Sequence, residues 1–447
     1  MRLTPISLSD LPAEMIESII SEIPRTRDLV QLACTCSFFR DLIIPRHTEY
    51  RVLRLPDTTA GQFDYLWSHL SQRPNLTRNM RKVHVSASDI TDIGWGALFP
   101  KTLVEKDHQL NSLNEREEII LSALRLMFLR FLFNTLSVMP SMKRLNLVIV
   151  TPTTHRPYPD EFAVESRHTP SLRHLRLGGK YWATSPLVLL TRDWLLTLTS
   201  LRSLRLNPTL VPQCDKLSFP TLRKLRVSPC TSSPVLIEFL VRHNKIEVLD
   251  WSSTGTMTLP SGILPNLQSI RCDFEFLKAM NVADVQDGGS PLNRSIERLV
   301  LEDTYWPDLE DVPLCNSTCL DNTKLCYLAL GYIKDTNSLK TLASSFPMIK
   351  ELKIRGIILP FDREELYSII QLFTHLEVFQ SSVIWEGLPI EDYQEELEER
   401  VRNLASLLPN LRQLNYLGRT NKQIIIVREE PVTFRVEEME YSMFRDL

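Results

Sequence analysis

Residues 201–227 read LRSLRLNPTLVPQCDKLSFPTLRKLRV. The two hexads inside, LRSLRL at 201–206 and LRKLRV at 222–227, share one pattern: apolar, two variable residues, apolar, one variable, apolar. Successive strand side chains point to opposite faces, so the last two apolar residues share a core face and the residue between them points the other way. The pattern recurs from Met142 as MKRLNL, LRHLRL, LRSLRL, LRKLRV, IEVLDW, LQSIRC, IERLVL, LCYLAL, IKELKI, LEVFQS and LRQLNY. Openings are 21 to 35 residues apart, and seven of the eleven follow Pro or Asn turn material, as in Pro170-Ser171, Pro220-Thr221, Pro265-Asn266 and Pro409-Asn410. Such a unit buries its apolar residues only against the next unit, so the array is stable as a stack. Between hexads, Ser233-Pro234 precedes VLIEFLVRH, Asp362 can cap REELYSIIQLF, and Glu391 opens EDYQEELEERVRNLASLL, all helical patterns.

The array resembles the leucine-rich repeat, whose period is 20–29 residues and whose unit is a strand plus a helix. The family's asparagine or cysteine beyond the last leucine is mostly missing, and only Cys230 stands there. The resemblance implies an irregular solenoid over residues 140–428 with a parallel sheet on its concave side. QIIIV, Gln423 to Val427, adds a last strand, and residues 429–447 form a cap or frayed tail. Residues 49–139 form a linking strand and helix region that also holds the first repeats. They contain expected strands at YRVLRL (Tyr50–Leu55) and RKVHVS (Arg81–Ser86), an amphipathic helix at Gly61–Gln72, and a dense helix at 117–138.

Leu8 to Arg46, LSDLPAEMIESIISEIPRTRDLVQLACTCSFFRDLIIPR, reads as three short helices. Pro12 suits a first helical position and Glu14 can reach the free backbone donors there. Met15, Ile16, Ile19, Ile20 and Ile23 fall on one face, and Pro24 ends the helix. Asp28 can cap the next helix, whose stripe is Leu29, Leu32, Ala33 and Cys36, continued by Phe39, Leu42 and Ile43. So few residues do not enclose a core around that many large side chains without a metal, a disulfide or a partner. Metal-ligand spacing is absent. Cys34 and Cys36, two apart on one expected helix, cannot bridge, so a partner surface remains.

Leu11-Pro12-x-Glu14, the Asp28-Leu29 start and TCSFFR at Thr35 to Arg40 resemble the F-box, with Ser37 in place of the family's basic residue and Phe39 in place of its Trp. The resemblance implies that residues 1–48 dock onto a Skp-type adaptor and, through it, a cullin-RING ubiquitin ligase. The expected adaptor face is Leu11, Pro12, Glu14, Met15, Ile16, Ile19, Ile20, Leu29, Leu32, Cys36 and Phe39. The expected fold class is thus α/β: a three-helix F-box followed by an irregular leucine-rich-repeat-like α/β solenoid.

The chain has 447 residues and a formal charge of −3, which argues against nucleic acid or an anionic membrane as main partner. Thirteen glycines leave little material for phosphate-cradling loops, and the P-loop, HExxH, GxSxG and dinucleotide glycine patterns are absent, so no catalytic residue, cofactor or enzyme activity is expected. Met1 to Ser9 lacks an apolar signal core and the eight cysteines are scattered, which fits a cytoplasmic or nuclear chain. Ile119 to Met139 is long and apolar, but Arg125 and Arg130 would each cost about 2.5–3.5 kcal/mol at a bilayer centre, so a buried helix is expected there. Cys315, Cys319 and Cys326 lack a paired CxxC or nearby His, and His168 and His174 have no ligand partners in sequence; no metal site is expected. Glu396–Arg400 and Glu398–Arg402 have the spacing of a solvated helix.

The fifth hexad residues run Asn146, Arg176, Arg205, Arg226, Asp250, Arg271, Val300, Ala329, Lys353, Gln380 and Asn415; the third ones begin with Arg144, His174, Ser203 and Lys224. Basic residues gather in the first half. Arg144, Arg176, Arg205, Lys224, Arg226 and Arg271 therefore form the expected target-binding face, and Arg176, Arg205 and Arg226 stand side by side to receive an acidic or phosphorylated protein. The favoured function is the substrate-recognition subunit of a Skp–cullin–F-box type ligase. The alternative is an adaptor-binding protein that forms no active ligase, and the third reading is an enzyme with an unrecognised site among the repeats.

Overall fold

The structure is a computed structural model. It describes residues 8, 11–23, 26–44, 47, 51–55, 66–78, 80–86, 132, 135–136, 139–148, 171–178, 194–206, 216–231, 234–254, 257–286, 294–301, 320–386, 393–416, 419–429 and 433–438. The chain is an α/β protein whose sheet is mostly parallel. It divides into two compact units, Met1–Leu222 and Arg223–Leu447.

Unit 1 opens with three helices, α1 (Ala13–Glu22), α2 (Thr26–Ala33) and α3 (Ser37–Ile43). Strands β1 (Val52–Leu55), β2 (Lys82–Ser86), β3 (Arg144–Val148), β4 (His174–Gly178) and β5 (Ser203–Leu206) then pair in chain order, all parallel. The short helices α4 (Leu66–Ser71) and α5 (Pro74–Thr77) lie between β1 and β2 in sequence. In unit 2 the strands are β6 (Lys224–Thr231), β7 (Val248–Thr254), β8 (Ser269–Cys272), β9 (Arg298–Leu301), β10 (Tyr327–Ile333), β11 (Glu351–Ile357), β12 (Val378–Ser381) and β13 (Gln413–Tyr416). These pair in order and in parallel. Two antiparallel strands close the series, β14 (Arg419–Val427) and β15 (Thr433–Glu438). The second of these falls in the stretch read from sequence as a cap or frayed tail.

Every one of the eleven hexads enters its strand at the third residue. The opening residue is buried each time, from Met142 and Leu172 to Leu376 and Leu411, as is the fourth. In register, Leu53, Val83, Leu145, Leu175 and Leu204 form one inward row of unit 1. Two strands of this row, β1 and β2, precede the first hexad at Met142 and lie in the stretch 49–139, where the first repeats are expected. Yet Met80, buried two residues before β2, opens MRKVHV in the same phase.

The turn residues before the openings have a specific use. Ser171 Oγ donates to the Pro140 and Met142 carbonyls, at 2.6 and 2.9 Å. Thr221 Oγ1 does the same to Thr199 and Leu201, at 3.1 and 2.8 Å. Asn266 and Asn410 side chains donate to the carbonyls of Asn244 and Thr374. Each ties one turn to the previous one and satisfies carbonyls that strand pairing leaves over.

Between the strands of unit 2 run α6 (Pro234–Arg242), α7 (Phe274–Gln286), α8 (Thr336–Ser345), α9 (Arg363–Ile370) and α10 (Tyr393–Leu407). Asp273, Asp335 and Asp362 cap three of them, each carboxylate accepting a backbone N–H three residues on. Arg428 in turn donates to the carbonyls of Ala405, Leu408 and Leu411 at the C-terminal end of α10. On α10, Glu398 and Arg402 form the exposed pair expected from sequence, 2.8 Å apart. Arg400 departs from that reading: it is buried and donates to the Ile384 and Glu386 carbonyls, both at 2.9 Å, as well as to Glu396. The expected helix at 117–138 lies largely outside the described residues. Among those described, no helix is long and apolar enough to cross a membrane.

Candidate functional site: a helical head and a basic sheet face

In the N-terminal head, Ile16, Ile20, Leu29, Ala33, Phe39 and Ile43 form a buried cluster, with Leu8, Leu11, Ile23, Leu32 and Leu42 packed around it. The apolar face of α1 is therefore split. Ile16 and Ile20 turn inward, whereas Met15 and Ile19, one turn apart, are 52% and 39% exposed. Phe38 is 45% exposed, edge-on to Phe39 with ring centroids 5.3 Å apart, and Val30 and Ile44 are also exposed. The sequence reading missed these last three; a helical plot of α2 and α3 against Leu29 and Phe39 would have placed Val30 and Phe38 off the buried stripe. The head thus buries six side chains in a small core of its own and leaves several of its other large apolar side chains exposed.

Of the expected adaptor face, Pro12, Glu14, Met15, Ile19 and Cys36 are exposed, Leu11 and Leu32 half-buried, and Ile16, Ile20, Leu29 and Phe39 inside. Three local expectations are corrected. Pro12 is the residue before α1 rather than its first, Asp28 lies inside the first turn of α2, and Cys36 precedes α3 so that Cys34 and Cys36 do not share a helix. Both cysteines are free and exposed.

Two contacts fix the head to the sheet of unit 1. Arg51, buried just before β1, donates to the carbonyl of Ile23 at the end of α1 and to that of His47 at 3.3 Å. Its positive charge sits where the α1 dipole is negative. Burial, then the nearby Arg81, brings the Arg51 guanidinium down to about 10, so it stays charged at neutral pH. Glu22 bonds Lys143 at 2.8 Å and lies 3.9 Å from Arg173. The Lys143 hydrogen bond holds the Glu22 carboxyl below the usual range.

The sheet face opposite the leucines carries the expected target residues. In unit 1, Arg54, His84, Asn146, Arg176 and Arg205 are register partners in one row, and Val52, Lys82, Arg144, His174 and Ser203 in the next. Arg176 and Arg205 do stand directly opposite each other, as expected. Arg54, Lys82 and His84 were missed because the hexad series starts at Met142, although the first repeats are expected within 49–139. Asn146 Nδ2 and His84 Nδ1 are 2.8 Å apart.

In unit 2 the basic column fails. Asp250 is the register partner of both Arg226 and Arg271, and its carboxylate pairs with Arg226 Nε at 2.6 Å. Opposite charges facing each other across neighbouring strands attract, so Arg226 and Arg271 flank an acid instead of extending a cationic row. Lys224 is exposed beside Val248. Further along, Tyr327 lies under Arg298, whose guanidinium carbon is 3.8 Å from the ring centroid, with Lys353 Nζ at 5.4 Å. Burial raises the Tyr327 hydroxyl and lowers the Lys353 ammonium from their ordinary values. Cys326 donates to the Glu297 carbonyl, and among the described residues no His, Cys, Asp and Glu group could hold a metal ion. Cys315, Cys319 and His168 lie outside the described residues. No protein-family model matches the chain, and comparison with characterised proteins returns no match either.

Proposed function

We propose that the chain is the substrate-recognition subunit of a Skp–cullin–F-box type ubiquitin ligase, with the head as an F-box and the strand array as an irregular leucine-rich-repeat solenoid that holds a target protein. The observation that carries this is the exposure of Met15, Ile19 and Phe38 on a head whose own core is already filled by Ile16, Ile20, Leu29 and Phe39. Large apolar side chains held in water on two helices of so small a unit are the kind of surface that a protein partner covers. Leu11-Pro12-x-Glu14 and TCSFFR, which carry the F-box resemblance, lie on the same three-helix head. The chain supplies no chemistry in this role. It brings an acceptor lysine on the target near the charged ubiquitin enzyme, a gain of effective concentration. Arg51 and Glu22 support the role by holding the head in a set orientation on the sheet of unit 1.

The test is recovery of a cullin. Purified full chain, mixed with a Skp-type adaptor and a cullin, should yield a ternary complex on size-exclusion chromatography. Recovery of the adaptor alone would favour an interaction protein outside any ligase, and recovery of neither would reject both readings.

A further inference from the structure

We propose that β15 is a pairing edge for a second copy of this chain, the two β15 strands running antiparallel across a twofold axis. The strand ends the sheet: β14 lies on one side, and among the described residues no strand lies on the other. Its outward backbone groups follow from the pairing. Ile426 N–H donates to the Arg412 carbonyl at 2.9 Å, so Ile426 and, two residues away, Ile424 address β13. Successive residues of an antiparallel strand turn their backbone groups to opposite neighbours. Gln423, Ile425 and Val427 therefore address β15, and their register partners Glu437, Arg435 and Thr433 answer them. Phe434, Val436 and Glu438 are left with N–H and C=O pointing off the sheet. Such an edge is a template for another strand unless Lys, Pro or a bulge blunts it. β15 reads TFRVEE and pairs with β14 without a bulge.

The charges on β15 select the occupant. A copy must join Phe434, Val436 and Glu438 to one another, and two antiparallel registers do so while keeping most of the strand paired. In one, Arg435 meets Arg435, and like charges directly opposed are destabilising. In the other, Val436 meets Val436, each Arg435 faces Glu437 of the copy, and Phe434 faces Glu438 at either end. That register forms about six backbone hydrogen bonds, two for each outward pair. Arg435 already holds Glu437 of its own strand at 2.7 Å, yet their side chains stay 67% and 39% exposed. A guanidinium has five donors and can bridge both carboxylates. Val436, 44% exposed, lies on the same sheet face as its partner Ile424, which is fully buried. Val436 of the copy extends that apolar row by one strand, in a self-complementary twofold contact. A strand pair this short buries less than the roughly 1,200 Å² of a standard interface, so the dimer is reversible and forms at about 10 μM.

Sedimentation velocity of the full chain, from about 1 to about 200 μM, is the experiment. Wild type should pass from the 51.7 kDa monomer toward twice that mass as concentration rises. Val436→Pro removes an outward N–H and no bond to β14, so it should keep the fold and stay monomeric. Arg435→Glu and Glu437→Arg each set like charges against one another twice across the axis, and each should weaken dimerisation about tenfold or more. An equimolar mixture of these two variants should recover the dimer, because each supplies the charge that the other lacks. The chain carrying both swaps should dimerise as wild type does. A wild type that stays monomeric throughout would overturn the proposal and leave the edge to a strand of another protein. Undiminished dimerisation of folded Val436→Pro, or a charge-swap mixture that stays monomeric, would overturn it as well. Should Val436→Pro lose its far-UV circular dichroism, the charge-swap mixture alone decides.

Discussion

Removing the guanidinium of Arg294 should destabilise unit 2 by about 4–5 kcal/mol. Arg294 is fully buried, and its head group is engaged throughout. It pairs with both oxygens of Asp284, a carboxylate that is 1% exposed, and donates to the Ile263 carbonyl from Nε at 3.1 Å and from Nη2 at 2.6 Å. That carbonyl lies in a turn where Gly262 and Leu264 both have positive φ, +71° and +55°. Leu264 accepts a backbone conformation that costs an L residue roughly 1–2 kcal/mol, because its side chain is fully buried and Arg294 anchors the peptide before it. In Arg294→Met the apolar stem is kept, but a buried carboxylate and a buried carbonyl lose their donors. Breaking one side of a buried pair costs about 3–5 kcal/mol, and a stranded carbonyl about 1–3 kcal/mol, with part of the desolvation shared. Asp284→Asn should cost about 3 kcal/mol, and Arg294→Met with Asp284→Asn only about 2, since no charge is then stranded. Urea unfolding of the full chain, followed by far-UV circular dichroism, reads these differences. With an m-value of about 3 kcal/mol per M, Arg294→Met should lower the midpoint by about 1.5 M, and the double variant should recover half of that or more. A shift under about 0.3 M for Arg294→Met, or additive losses in the double variant, would refute the clamp.

Three further outcomes are expected. Leu11→Ala with Pro12→Ala should abolish co-purification of a Skp-type adaptor while far-UV circular dichroism stays unchanged; undiminished co-purification would remove the F-box assignment. Glu22→Gln should destabilise unit 1 by less than about 1 kcal/mol, because the Glu22 carboxylate is largely exposed even though Lys143 is half-buried. The native Glu22 carboxyl is depressed, so its contribution is present above the unfolded value of about 4.3 and fades as pH falls through the native one; wild type and variant should therefore converge in acid melts. Asp335→Ala should cost about 1 kcal/mol by uncapping α8. Burial pushes that carboxyl up, but the Ser338 hydroxyl and N–H, with Lys334, outweigh it and hold it low, so the cost should shrink once pH drops below about 3.9, as a pH series of urea melts would read.

The strands were legible because an opening residue, a fourth and a sixth must all reach one core, and that spacing survives every change of intervening length. Met80 escaped notice for the opposite reason. It stands 62 residues before Met142, well outside the period, so RKVHVS reads as a strand without its opening residue. The Arg226–Asp250 pair could have been found, since the two are consecutive in the fifth-residue column and parallel register makes such neighbours touch. The burial of Arg294 and Arg400 could not, because beyond their carboxylate partners each donates to backbone carbonyls, of Ile263 and of Ile384 and Glu386, that no side-chain pattern advertises. The head was half legible. Helical spacing groups Met15, Ile16, Ile19 and Ile20 on one broad face, but which of them turn inward depends on how Leu29 and Phe39 pack against that face.

The central claim is that this head binds a Skp-type adaptor through the side chains it leaves in water. Titration of the purified full chain with that adaptor by isothermal calorimetry tests it most directly, beside a variant carrying Met15→Glu and Ile19→Glu. Both positions are exposed in the free chain, so the variant should keep its fold. One-to-one binding by wild type and none by the variant is the result predicted; equal binding by both, or none by a folded wild type, would contradict it.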